Sequence, residues 1–238
     1  MDEHNHKGIL SSKERRLARL EQNVPMNKLI SNRRYNLIFG LVVLYGLIVN
    51  TITCAFTGTI TLPFSPSMII IGYFILAIIG CLLTGYSSNP IVSFIGYNLV
   101  CVPLGFMLSL VLRGYGGIQS DIVQMAFGCT SFVTTVMITA SVIRPQWFAK
   151  LGPVLFVALV SLILLRLVLF IFRIDFLGIL PSVIATVIFS LYIGYDFYRS
   201  QRCPKTVDNA VDSALDVYLD VINLFLNILR ILGNTRKK

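Results

Sequence analysis

Charge is what this sequence has least of. Only 13% of its 238 residues are Asp, Glu, Lys or Arg, against 55% apolar, and most of that charge gathers at the two ends and in three loops. A soluble helical domain would show polar faces at helical period, and the long apolar runs here do not. Histidine is confined to His4 and His6 near the N-terminus. No apolar run therefore holds the base of Ser–His proteolysis or the ligand of His-bound zinc. The cysteines, Cys54, Cys81, Cys101, Cys129 and Cys203, have no paired spacing, which argues against a disulfide framework or a zinc site. Four of them fall in apolar runs, where a thiol behaves as a small apolar residue. No cleavable signal peptide is expected, because the first apolar run follows a long basic segment.

What is present is a succession of apolar runs, each about 20 residues long and able to cross a hydrocarbon core of about 30 Å. The reading is an all-α, multi-pass integral membrane protein. Spans are expected at about 35–56, 67–85, 91–112, 122–143, 153–172, 177–198 and 211–232. They form one membrane domain over 35–233, between a basic N-terminal tail at 1–34 and a basic C-terminal tail at 234–238. In the first tail, SSKERRLARLEQ reads as a short helix with Ser11 and Glu14 as a capping box. Gly72 and Gly80 in span two offer close helix contact. Pro103 and Gly105 in span three predict a kink. Trp147, in the basic loop RPQWFAKLG, suits the headgroup level.

The net charge of +9 does not indicate a nucleic-acid partner, since Lys and Arg cluster beside spans, where topology and anionic lipid account for them. With the N-terminus inside, thirteen Lys or Arg lie in inner segments and five in outer ones, with Arg166 and Arg230 inside spans. The positive-inside rule then predicts a cytoplasmic N-terminus and an outer C-terminus. A six-span alternative with a re-entrant final segment would bring Arg236, Lys237 and Lys238 inside as well. A compact chain without an N-x-S/T sequon is read as a protein of a prokaryotic plasma membrane.

The last run, AVDSALDVYLDVINLFLNILRILG, carries Asp212, Asp216, Asp220, Asn223, Asn227 and Arg230, spaced four, four, three, four and three. On a helix this draws one polar stripe. Carboxylates in hydrocarbon are costly, so the stripe should turn inward and place this helix at the centre of a bundle. Asp196 in span six lies about as far before the turn near Pro204 as Asp220 does after it, so the two can share a depth. A close pair of carboxylates titrates as a unit with a shared proton, which makes a pH switch. With carbonyls and water the same pair suits a hard cation such as Ca²⁺. The alternative is that Asp196 caps the loop and Asp220 pairs with a buried Arg. Asp212 and Asp216, nearer the inner surface, either complement the helix dipole or extend an acidic vestibule. Arg166, deep in span five, needs a partner, either an acid of span seven or an interfacial phosphate. The glycine-framed aspartate motif of intramembrane aspartyl proteases is missing, and no enzyme activity or cofactor is expected.

VIFSLYIGYDFYRSQ (187–201) followed by ALDVYLDVINLFLNILRILG (214–233) resembles the C-terminal signature of the Bax inhibitor-1-like family, also called the transmembrane Bax inhibitor motif or YccA-like family, in its bacterial style. The resemblance implies a seventh helix wrapped by two layers of three helices. It also implies a pH-sensitive Ca²⁺ leak whose sensor pair falls on Asp196 and Asp220. Its alternative implication is a non-conducting membrane partner of a protease or a cell-death protein. One departure stands out. Leak-type members carry basic residues near the inner end of span two that latch the span-six aspartate, whereas AIIGCLLTGYSSN has none. Either another cation, with Arg166 as the candidate, takes that role or the latch is absent.

Overall fold

A computed structural model describes residues 24–59, 65–173 and 177–235, and among them every regular element is a helix. The long ones are α1 (Asn32–Thr59), α2 (Pro66–Tyr86), α3 (Pro90–Arg113), α4 (Asp121–Ile143), α5 (Gly152–Ile171), α6 (Leu180–Ser200) and α7 (Val207–Thr235). A 3₁₀ turn at Met26–Lys28 precedes them, and a short helix, Pro145–Ala149, joins α4 to α5. The helix expected from SSKERRLARLEQ lies outside the described residues.

Proline punctuates the starts. Pro66, Pro90, Pro145, Pro153 and Pro181 each stand in the first positions of a helix, where the missing N–H costs nothing. Ser65, Asn89 and Ser120 cap α2, α3 and α4 by accepting backbone N–H bonds through their side chains.

Among the described residues six helices, α1 to α6, are long and apolar enough to cross a membrane. Their outward faces expose Ile, Leu, Val and Phe along α2 and α5, a surface that only lipid solvates well. The chain is an all-α, multi-pass membrane protein. Helix α7 differs in kind. Its 29 residues run unbroken, about 43 Å at the helical rise. Most of α7 is buried, including Asp208, Asp212 and Asp220.

The packing sorts the other helices into two groups. Helix α3 packs on α1 and α2, and α6 packs on α4 and α5, while α7 packs on α6, α1, α4 and α3. The expected arrangement of two three-helix layers around a polar-striped helix is thus realised. Gly80 and Gly96 set the α2–α3 approach, since a Cβ on either would fall within 2.7 Å of the other's carbonyl oxygen. Gly72, also expected at a helix contact, has nothing within 4 Å of where its Cβ would be and instead faces outward. Pro103 sits inside α3 without interrupting it, and Gly105 lets α3 approach Thr53 and Asn50 of α1.

Between α1, α4 and α7 runs a mostly apolar cavity of about 520 Å³. Val217, Val221 and Phe225 line it from α7, with Asn50 and Thr134 as polar members of its wall.

Candidate functional site

The α6–α7 hairpin builds the site. Helix α6 continues to Ser200, beyond the expected span end at Tyr198, and that extension carries Arg199. Arg199 follows Asp196 by three residues, so both lie on one helix face. Its guanidinium donates through Nη1 to Asp196 Oδ1 at 2.8 Å and through Nη2 to Asp216 Oδ2 on α7. One fork therefore ties the two central helices by charge-assisted bonds.

The environment gives the tie its weight. Asp196 and Arg199 are only 4% and 9% exposed, while Asp216 keeps about a quarter of its side chain accessible. Arg199 also stands 5.9 Å from the Tyr195 ring centroid, within cation–π reach. A positive charge in the last turn of α6 complements that helix's dipole.

Asp220 lies one turn beyond Asp216 on the same stripe and is buried. Asp212, one turn the other way, is also buried and stands within electrostatic reach of Tyr35. Asp208, which the sequence reading passed over, accepts a 2.7 Å bond from Ser93 Oγ of α3. Acids at 208, 212, 216 and 220 thus march up one face of α7. Cys81 of α2 lies within electrostatic reach of Asp216, so span two borders the site while contributing no charge to it.

The turn between α6 and α7 is pinned from α1. The Tyr35 hydroxyl lies 3.3 Å from Cys203 Sγ, 3.3 Å from the Asn209 carbonyl and 3.2 Å from Ser213 Oγ. Lys205 Nζ sits 4.3 Å from the Tyr35 ring centroid and donates to the Ser200 carbonyl at 2.9 Å. Burial lowers the Lys205 ammonium from its ordinary value, partly offset by Cys203. The Ile30 amide donates to the Lys205 carbonyl at 2.8 Å, strapping the residues before α1 across this turn.

Arg166 does not serve here. Its Nη2 donates to Asn227 Oδ1 and, at 3.5 Å, to the Pro181 carbonyl, near the opposite end of α6, about 22 Å along the helix from Asp196. The expected acidic partner is replaced by a neutral amide, because Asn227 is the stripe residue at that depth. The cation at Asp196 is Arg199, which lies just past the expected end of span six. Its signal in the sequence was the three-residue spacing inside YDFYR.

Chemically, the cluster can hold or release protons and can separate charge between α6 and α7. Arg199 occupies one oxygen of Asp196 and one of Asp216. Among the described residues no group of three or more His, Cys, Asp or Glu is arranged to hold a metal.

Residues 29–237 match the family model described as inhibitor of apoptosis-promoting Bax1. The chain is also 30% identical over 112 residues to two Helicobacter pylori proteins, from strains J99 and 26695, each described as an uncharacterized protein. The match covers 47% of this chain and 47% of each relative, so it spans about half the length of those curated relatives.

Proposed function

Because the chain belongs to the family of inhibitors of apoptosis-promoting Bax1, the Bax inhibitor-1-like family, matched over residues 29–237, we propose that it is a pH-sensitive Ca²⁺ leak whose gate is the α6–α7 carboxylate cluster. Asp196 and Asp220 act as the proton-sharing sensor, and Ca²⁺ is the permeant ion rather than a resident one. Asp216, and Asp212 behind it, form the acidic approach to the gate.

The observation that carries the reading is the buried bridge from Arg199 to Asp196 and Asp216. It supplies the cation that span two lacks, on the helix that already carries the sensor. Holding α6 against α7, it corresponds to a closed gate. A change in protonation alters how many carboxylates compete for one guanidinium, and so how firmly the two helices are joined. Opening requires Arg199 to let go of one acid, which frees carboxylate oxygens for a passing cation. In this reading the protein sits in a prokaryotic plasma membrane with its N-terminus cytoplasmic, supported by the excess of Lys and Arg in the segments assigned to that side.

The bridging of Asp196 and Asp216 by Arg199 also fits a non-conducting membrane protein that modulates a protease or a cell-death partner. There the bridge is a structural tie and nothing passes. Ca²⁺ flux from liposomes carrying the purified protein, followed between about pH 5 and 8 where a shared carboxylate proton titrates, separates the two. A pH-dependent flux whose dependence disappears in Asp196→Asn and Asp220→Asn supports the leak. Flux equal to that of empty liposomes at every pH sinks it and leaves the interaction protein.

A further inference from the structure

We propose that the end of the bundle remote from Arg199 binds the phosphate of an anionic membrane lipid, with Arg166 and Arg230 as the recognising pair. This inference stands independently of the leak.

The argument starts from charge without a counter-charge. Arg166 lies on α5 five residues before Ile171, and Arg230 lies on α7 five residues before Thr235. Arg166 uses one nitrogen for Asn227 and the Pro181 carbonyl, and its Nε is buried without a hydrogen-bond partner. Asn227 is itself engaged, donating to the Asn223 carbonyl at 2.7 Å, and it brings no charge. The ionic neighbour that acts on Arg166 is Arg230, another cation. Among the described residues neither of these guanidiniums is paired with a carboxylate.

The two ends of the bundle therefore solve the same problem differently. At one end a buried Arg is met by acids from two helices. At the other, two Arg converge in a membrane segment and repel, with only an amide and a carbonyl among the described residues to answer them. Ionisable groups at this depth are costly unless paired. Helix α6 starts beside the Pro181 carbonyl, and its N-terminal end adds further positive potential. An anion is the missing component. Guanidinium forks recognise phosphate oxygens with matched geometry.

The surroundings choose the source of that phosphate. Arg166 sits about 7 Å inside the end of its helix, and its neighbours Leu164, Leu167, Val168 and Phe170 are exposed and apolar. That wall is wetted by lipid tails rather than by water, so the ligand arrives laterally from the bilayer with its chains along α5. Two cations prefer a net-negative phosphodiester over a zwitterionic headgroup, whose own ammonium opposes them.

The test uses the full chain in mild detergent, titrated with short-chain phosphatidylglycerol or phosphatidylcholine and read by native mass spectrometry. The wild type should bind phosphatidylglycerol the more tightly. Arg230 is exposed and makes no hydrogen bond among the described residues, so Arg230→Gln should fold normally and lose roughly tenfold in that affinity, the worth of one charge-assisted bond. Arg166→Gln with Arg230→Gln should abolish the preference between lipids. Should Arg166→Gln fail to fold, Arg166→Lys, which keeps the charge but not the fork, should still weaken phosphatidylglycerol and leave phosphatidylcholine unchanged. Equal binding of the two lipids by the wild type, or an Arg230→Gln affinity equal to wild type, overturns the proposal. Displacement of the lipid by millimolar inorganic phosphate also overturns it, in favour of a free-anion site.

Discussion

Arg199 and Asp216 join α6 to α7 through a bond that sets a buried guanidinium against a carboxylate still partly open to its surroundings. The same guanidinium holds Asp196, so a single side chain sets how both acids are compensated. Replacing Arg199 with Leu leaves Asp196 as a buried charge with its cation gone. Loss of one partner from a buried pair costs about 3–5 kcal/mol, and the partial exposure of Asp216 places this case at the lower end. Unfolding in mixed micelles should register that loss. Adding Asp196→Asn and Asp216→Asn to Arg199→Leu should recover most of it, because neutral amides no longer need the missing cation. No recovery in the triple variant would mean that Arg199 stabilises by packing alone.

In the leak reading the same substitution has a functional signature. Arg199→Gln removes the fork that holds α6 against α7 while keeping a polar side chain of similar reach. Reconstituted variant should leak Ca²⁺ faster than wild type at every pH between about 5 and 8, with a flattened pH profile. Flux unchanged from wild type would separate the bridge from the gate.

Close helix approach gives a matched pair of substitutions on one helix. A Cβ on Gly80 would lie 2.5 Å from the Gly96 carbonyl oxygen, which is backbone and cannot swing away, whereas Gly72 has open space around it. Gly80→Ala should therefore force α2 from α3 and cost about 1–3 kcal/mol, the usual range for overpacking. Gly72→Ala should be neutral or slightly stabilising through helix propensity. Thermal denaturation in detergent measures both, and equal effects would dismiss the close contact.

The polar stripe made α7 legible before any coordinates, because a four-four-three spacing of acids and amides inside an apolar run has one economical solution in a membrane. The layered bundle around it came from the family resemblance and agrees with the packing. Arg199 was not legible, and the reason is physical. A basic residue near a span end satisfies the topology rule equally well whether it faces headgroups or turns inward, and two more residues of α6 decide which. The acid of the last span, one of the two partners expected for Arg166, gives way to Asn227 for a related reason. Depth along a stripe selects its partner, and Asn227, not an acid, lies at the depth of Arg166. Asp208 escaped because it stands before the apolar run, where an acid reads as an ordinary helix start; only the packing of α3 brings Ser93 to it.

The wall between α1, α3 and α7 offers a last test, of a neutral polar contact. Asn50 Nδ2 donates to the Tyr218 hydroxyl at 2.6 Å, and the Tyr218 ring packs 5.5 Å from that of Tyr97, whose hydroxyl donates to the Val42 carbonyl at 2.9 Å. Gly46 makes room for both rings, since a Cβ there would meet the Tyr97 hydroxyl and the Tyr218 ring. Removing only the Tyr218 hydroxyl leaves the Asn50 amide buried with its donor unmet, a loss of about 1–3 kcal/mol. Tyr218→Phe should show it in unfolding experiments. Combining Tyr218→Phe with Asn50→Leu removes the stranded amide and should return part of the loss, because two apolar groups in contact have no unmet donor. A cycle built from the two single variants and the double isolates the pairwise energy. A coupling near zero would mean that the Asn50 amide finds another partner in the cavity it borders, and that the aromatic packing around Gly46 holds α1 to α7 without it.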